Sequence, residues 1–513
     1  MLSEATRKLV QKRLLAETGG LKKQAPLAVC LAYPSPYAVA MSSLGFQSVY
    51  GAINEHPGAA CERAFLPDDG VHGASLERPV TYESLRELGD FQLVAFSVAY
   101  ELELAGLIRM LEASGLPALR EERSQTAPLV LAGGPLTFSN PEPLAPFVDA
   151  IVLGEAEDVI GPVLDAVQAA GERGAAISAL ADLPSVWVPA VHGDWMPELA
   201  VCDNARLPAM SRIVTPHTEL SSMFLIEAER GCSRGCTYCV MRRTTNGGMR
   251  AVPKERLLAS IPADVRRVGL VGAAVSDHPQ IVDVLKALAS AGHEVGLSSL
   301  RPDRLKEPLV EALRLVGYRT LTTALDGASE RLRQGIERRG RTPHYRQAAE
   351  LARHFGMSRL KLYLMVGLPG ETDDDIDECA AFVSELSRIV PVALGISPFC
   401  SKRRTPLDRM PYAGVSVVQS RLKRLRKGVR GRVEVRATSA RWAWVEHVLA
   451  QGGPSEGHAA YEAVLAGGDY HDYQGAFARL GHSPRGDGYA NAVLPPSPEA
   501  LKRSKRAGSL VLP

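Results

Sequence analysis

The chain alternates short apolar runs with amphipathic stretches over most of its length. APLAVCLAYP, FQLVAFSVAY (residues 91–100), APLVLAGGP and DAIVLGEAE are apolar runs that end in small or acidic residues. Such runs predict strands of a parallel sheet covered on both faces. Between them ELAGLIRMLEASG has helical spacing and a glycine stop. Residues 25–185 therefore predict an α/β domain, preceded over 1–24 by an amphipathic helix that stops at Gly19-Gly20. Ligands of such sheets lie beyond the carboxyl ends of the strands. Those ends carry Tyr33-Pro34, Ser97, Gly133-Gly134-Pro135 and Gly154-Glu155.

Residues 186–221 keep no sustained period, contain several prolines and predict a linker. A second β/α series follows over 222–412, with strands at Met223–Ala228, Arg267–Gly272, Glu294–Leu297, Thr320–Ala324, Leu360–Val366 and Val392–Ile396. Intervening helices show one apolar face, such as Ile281, Val284, Leu285 and Leu288. Six units predict a partial (β/α)6 barrel, short of the eight that close one. Residues 413–482 predict a small, mostly helical region, and 483–513, rich in Pro, Ser, Gly and basic residues, a flexible tail.

Composition narrows the function classes. Hydrophobic residues at 46% and charged residues at 23% describe a globular chain. Lys+Arg at 59 against Asp+Glu at 57 exclude a whole-chain field as the basis of nucleic-acid or membrane binding. One local basic run remains, from Arg421 to Arg432 near Trp442 and Trp444; a solvated helix face explains it best, with RNA as the alternative partner. No apolar run is long enough to span a membrane and no signal-peptide core is present, so the expected compartment is the cytoplasm.

Three of the eight cysteines fall within eight consecutive residues, in ERGCSRGCTYCVMRR directly after the first strand of the second series. Cys232, Cys236 and Cys239 there put three soft ligands on one short loop. That chemistry suits an iron–sulfur cluster; zinc and three buried structural cysteines are the alternatives. A four-iron cube held by three cysteines keeps one iron open to a small molecule. The other strand ends are small or polar: Gly272-Ala273-Ala274, Ser298-Ser299-Leu300-Arg301, Asp326-Gly327-Ala328-Ser329 and Gly367-Leu368-Pro369-Gly370-Glu371-Thr372. Small residues let the backbone approach a ligand. Cys379, Cys400 and His278 read as core, rim and turn residues.

The Cys-x-x-x-Cys-x-aromatic-Cys loop resembles the signature of the radical S-adenosylmethionine (SAM) superfamily. The resemblance implies a [4Fe–4S] cluster on the three cysteines, SAM on the open iron, a 5′-deoxyadenosyl radical, and an electron donor such as flavodoxin or ferredoxin. It places Tyr238, the aromatic of the motif, beside SAM. Gly272-Ala273 stands where the superfamily has a Gly-Gly-Glu motif for the methionyl amino group, here without the Glu, and the Gly367–Thr372 segment, with Gly367 and Pro369, where the adenine loop lies. Ser298 and Asp326 become candidates for the ribose or methionyl end, although a turn or helix cap explains each equally well.

The segments LAYPSPYAVAMSSLGFQSVY, SSLRPDRL, TTALDGASERLR, SPFCSKRRTPL and WVEHVLAQGG resemble a branch with a Rossmann-like, cobalamin-binding-like domain before the barrel. Members that bind cobalamin often carry Asp-x-His-x-x-Gly after the first strand. This chain has Tyr33-Pro34-Ser35-Pro36-Tyr37 there, and Asp69-Gly70-Val71-His72 has the wrong spacing, so either cobalamin binds without a protein imidazole or the domain keeps the fold as a docking or lid element that has lost the ligand. The implied outcome is methyl or methylthio transfer, or another modification, on an unknown substrate. A non-catalytic redox sensor or electron-transfer protein is the alternative.

Overall fold

The computed structural model describes residues 2–68, 77–241, 248–298 and 300–495. Ser299, the Asp69–His72 stretch and the tail beyond residue 495 lie outside the described residues. The first sheet contains β1 (Leu27–Tyr33), β2 (Ala59–Phe65), β3 (Leu93–Ser97), β4 (Leu129–Gly133), β5 (Ala150–Val152) and β6 (Val186–Trp187). Its order is β2-β1-β3-β4-β5-β6, parallel except for β6. This is a doubly wound arrangement whose strand order reverses between β1 and β3. β2 was not drawn from the sequence because Glu62 and Arg63 break its apolar pattern. Arg63 is nevertheless buried, held by Glu17 at 2.8 Å and Glu83 at 2.6 Å.

The second half contains β7 (Met223–Glu227), β8 (Glu229–Gly231), β9 (Met249–Ala251), β10 (Arg267–Val271), β11 (Glu294–Leu297), β12 (Thr320–Asp326), β13 (Arg359–Val366), β14 (Val392–Pro398) and β15 (Val433–Ala437). β7-β10-β11 and β12-β13-β14-β15 are parallel sheets joined by a bridge between Leu300 and Thr323. All six strands expected from the sequence form, and β15 adds a seventh to the arc. The linker covers the free edge of β7: Ser211 N–H donates to Leu225 O, and Glu227 N–H to Ala209 O, at 2.8 and 2.9 Å. An edge so paired is closed to other chains.

The C-terminal helices bind the two halves together. Helix Pro454–Ala466 packs on helix Glu103–Ala113 of the first half. The Asn140 amide donates to the carbonyls of Leu449, Ala450 and Gly452, which end helix Ala440–Gln451. Lys402 pairs with Glu101 at 2.7 Å and Glu446 at 2.8 Å. Within the stretch expected to be mobile from Ser483, that residue and Tyr489 are held against the rest of the chain, while Val493 is exposed. Trp444 Nε1 donates to Ser483 O, and Tyr489 is buried. Among the described residues no helix is long and apolar enough to cross a membrane.

This junction also holds a half-buried titratable group. Burial, Lys402 and His482 push the His447 imidazole down to about 4. Its folded value lies below the unfolded one, so the stability it contributes is complete above about pH 6.5 and is lost as pH falls toward 4. The shift corresponds to about 3 kcal/mol. Urea midpoints at pH 7.5 and 4.5 should therefore fall further in the wild type than in His447→Gln; equal falls would remove His447 from the acid response.

Candidate active site at the strand ends of the partial barrel

The cysteine loop is mounted on an antiparallel hairpin. β8 pairs with β9 through Glu229–Ala251, Arg230–Arg250 and Gly231–Met249, and the three cysteines follow Gly231. Cys232, Cys236 and Cys239 are partly exposed and form no disulfide. Cys239 N–H donates to Cys236 O at 3.2 Å, and Thr237 N–H to Ile336 O at 3.1 Å. The Tyr238 hydroxyl donates to Asp326 Oδ2 at 2.7 Å, and Arg338 Nε meets the same oxygen at 2.8 Å. Asp326 ends β12 in the left-handed region (φ 62°), a conformation that aspartate tolerates better than most residues. The loop is thereby tied to the end of β12.

The end of β10 meets β8 directly. Glu229 is 1% exposed, and its Oε1 accepts the Ala274 N–H at 2.5 Å, while Oε2 has no hydrogen-bond partner among the described residues. Burial first, with Glu227 and Asp277 adding, pushes its carboxyl up to about 7. A Cβ at position 272 would stand 2.3 Å from Glu229 Oε1, so only glycine fits there. Ser298 Oγ donates to Gly272 O at 2.9 Å. Beyond β13, Gly367 N–H donates to Glu371 at 2.8 Å. Arg421 bonds Glu371 at 2.9 Å and the Tyr489 hydroxyl at 2.7 Å, and that hydroxyl donates to Leu368 O at 2.6 Å. The loop containing Gly367 and Pro369 is thus braced from behind by two elements.

The structure therefore puts Tyr238 with Asp326 and Gly272 with Ser298, and sets Ala273 beside Glu229. It sets Cys400 apart, its thiol donating to Ala443 O, and leaves Cys379 in the core. His278 is a turn residue: Nε2 bonds Val252 O at 2.8 Å, and Nδ1 accepts the Gln280 N–H.

Sequence reasoning missed two features. Arg230, two residues before the first cysteine, pairs with Glu227 and Glu157, each at 2.7 Å, and with Glu155 at 3.3 Å. The Gly154-Glu155 strand end was its only trace in the sequence. Arg230 also lines a cavity of about 340 Å³, within the usual range for ligand sites. The floor is Leu31, Leu93, Ala95 and Leu131 of the first sheet; helices Leu44–Glu55 and Ile160–Ala170 wall it, and Glu227, Arg230 and Met241 reach it from the barrel. Its rim includes Ser97, Gly133-Gly134-Pro135 and Gly154-Glu155, three of the four strand ends expected to face a ligand; the fourth, Tyr33-Pro34, does not line it.

Residues 45–189 match the family described as radical SAM proteins, N-terminal, and residues 226–383 match the radical SAM superfamily. The uncharacterized protein MJ0966 of Methanocaldococcus jannaschii is 28% identical over 345 residues, 64% of this chain and 70% of the relative. The ribosomal protein uS12 methylthiotransferase RimO of Trichlorobacter lovleyi is 28% identical over 243 residues, 43% of this chain and about half (52%) of the relative. The radical S-adenosylmethionine methyltransferase TsrM of Kitasatospora setae, solved with cobalamin and a [4Fe–4S] cluster, shares the fold. Its TM-score is 0.51 at 14% identity, over 77% of this chain and 75% of that one. Two successive matches of this kind, on a cobalamin-binding-like α/β domain and on the barrel behind it, place the chain in the radical SAM superfamily, as an enzyme of the class that works with a [4Fe–4S] cluster and SAM.

Proposed function

We propose that the chain is a radical SAM transferase. Cys232, Cys236 and Cys239 hold the cluster; Tyr238, Gly272, Ala273, Ser298, Asp326, Gly367 and Pro369 line the SAM site; and a cobalamin enters the cavity of the first domain. The observation that carries this reading is the set of three half-exposed thiols, none in a disulfide, on a hairpin whose Arg230 also lines that cavity. Three soft donors suit three corners of a four-iron cube. A reduced cluster bound there supplies one electron for reductive cleavage of SAM to methionine and a 5′-deoxyadenosyl radical.

The protein's own groups position the reactants. Asp326 fixes the Tyr238 ring through its hydroxyl, and Arg421 with Tyr489 stiffens the Gly367–Glu371 turn as a platform for the adenine. Glu229 offers its free oxygen, from β8, for the amino group that the resemblance assigned to a glutamate absent after Gly272-Ala273. The apolar floor of the cavity would hold an apolar part of a corrinoid, and Arg230 and Glu227, which line the same cavity, would meet its polar groups. The Tyr33–Tyr37 stretch supplies no imidazole, and Tyr37 itself is spent on Glu17 and on stacking with Tyr82.

The substrate accepts a methyl or methylthio group, and a flavodoxin or ferredoxin serves as reductant. RNA is not favoured. Arg421 pairs with Glu371 and Arg424 with Asp373 and Asp377, while Trp444 is buried and cannot stack on a base. Anaerobic reconstitution with hydroxocobalamin should give about four irons per chain and a corrinoid absorbance, and dithionite with SAM should release 5′-deoxyadenosine. A chain that holds the cluster yet binds no labelled SAM in equilibrium dialysis would instead be the redox sensor.

A further inference from the structure

The inner surface of the barrel carries a charge pattern that cluster and SAM binding leave unused. Along β13, Leu360, Leu362, Leu364 and Val366 are buried beneath the outer helices, whereas Lys361, Tyr363 and Met365 alternate with them on the opposite side. The period-2 rule puts those three on the concave side of the arc. Registers extend the pattern across the sheet. Thr322, Lys361, Ala393 and Glu434 form one row, and Ala324, Tyr363, Gly395 and Arg436 the next.

Tyr363 is 40% exposed although it stands in a central strand. Beside it Gly395 keeps the floor flat, since a Cβ there would approach the ring to 3.1 Å. Lys361 Nζ lies 4.8 Å from the Tyr363 ring centroid and makes no ion pair among the described residues. Glu434, the one carboxylate of these rows, is shared by Arg359 at 3.2 Å and Arg436 at 2.5 Å. Three cations thus stand against one acid on this floor, around an aromatic ring that is 40% exposed and has Lys361 over it.

We propose that this floor is the substrate site and that its substrate is an anion with a planar ring: the ring lies on Tyr363 over Gly395, and the acid group, carboxylate or phosphate, meets Lys361. The inference rests on the radical SAM reading for its role, since Tyr363 stands three residues, or about 10 Å, below the rim that holds SAM. A cation over an aromatic face keeps its charge available to an anion while its stem stays ordered. A neutral substrate would leave the excess positive charge unanswered.

The test uses the reconstituted full-length protein and three probes with one ring system: 2-naphthoate, 2-naphthalenemethanol and 2-naphthylmethylammonium. Equilibrium dialysis should show the acid binding at least fivefold tighter than the alcohol, and the amine weakest. Lys361→Met should erase the preference for the acid while iron content stays at the wild-type level, and Tyr363→Leu should weaken all three probes. Equal affinity for acid and alcohol in the wild type, or a preference that survives Lys361→Met, overturns the inference. Iron and 5′-deoxyadenosine measured on the same wild-type sample separate the two readings. A normal cluster and SAM cleavage without charge preference sinks this inference alone, whereas charge preference without a cluster sinks the radical reading and leaves the anion site standing.

Discussion

Changing any one of Cys232, Cys236 or Cys239 to alanine is expected to reduce bound iron from about four per chain to less than one and to abolish SAM cleavage. Under this proposal each of the three thiolates would hold a different iron of the cube, so two remaining ligands would leave two irons open to water and to dissociation. The loop itself should survive the change, because its anchors are elsewhere: Thr237 N–H on Ile336 O, and the Tyr238 hydroxyl on Asp326. The variants therefore fold, and their loss of iron reports on ligation. Cys400→Ala and Cys379→Ser serve as contrasts. Cys400 donates to Ala443 O and Cys379 lies in the core, so both should keep their iron, with some loss of stability at Cys379. Full iron in Cys236→Ala, or zinc in place of iron in the wild type, would end the cluster assignment.

What the sequence made legible follows the physics of each element. The six barrel strands are buried on their outer sides beneath helices, and their apolar content announces them. β15 is hidden in a basic stretch because it is an edge strand whose inward residues, Glu434 and Arg436, are charged and whose Val433 and Val435 are only half-buried. β2 is hidden for the opposite reason: its charges are internal, and the partners of Arg63 come from Glu17 and Glu83, far along the chain. The cysteine trio was readable since its three members are local in sequence. Glu229 was not. Nothing in ERGC distinguishes a solvent-facing hairpin glutamate from one turned beneath Gly272, and only the packing of β8 on β10 does so. The cavity is still less local, assembled from several strands and two helices with no motif of its own.

Filling that cavity provides the second large effect. Ala95 lies on β3 in the cavity floor, flanked across the sheet by Leu31 and Leu131, with which it is in register. Ala95→Trp projects an indole into the space assigned to an apolar part of the corrinoid. The expected result is loss of at least nine-tenths of the corrinoid absorbance after reconstitution, with iron content and uncoupled release of 5′-deoxyadenosine retained, because the cysteine hairpin is anchored by the barrel. Volume added to an empty apolar space displaces no packed side chain, so the thermal midpoint should change little. The same change in a filled core would cost about 1–3 kcal/mol. Ala95→Val, which adds much less bulk, should give intermediate corrinoid binding, a graded response that a folding defect would not produce. Undiminished corrinoid in Ala95→Trp would move the cofactor out of this cavity, and absence of corrinoid in the wild type would leave the first domain as a docking element for the barrel, with the radical chemistry of the cysteine loop unaffected.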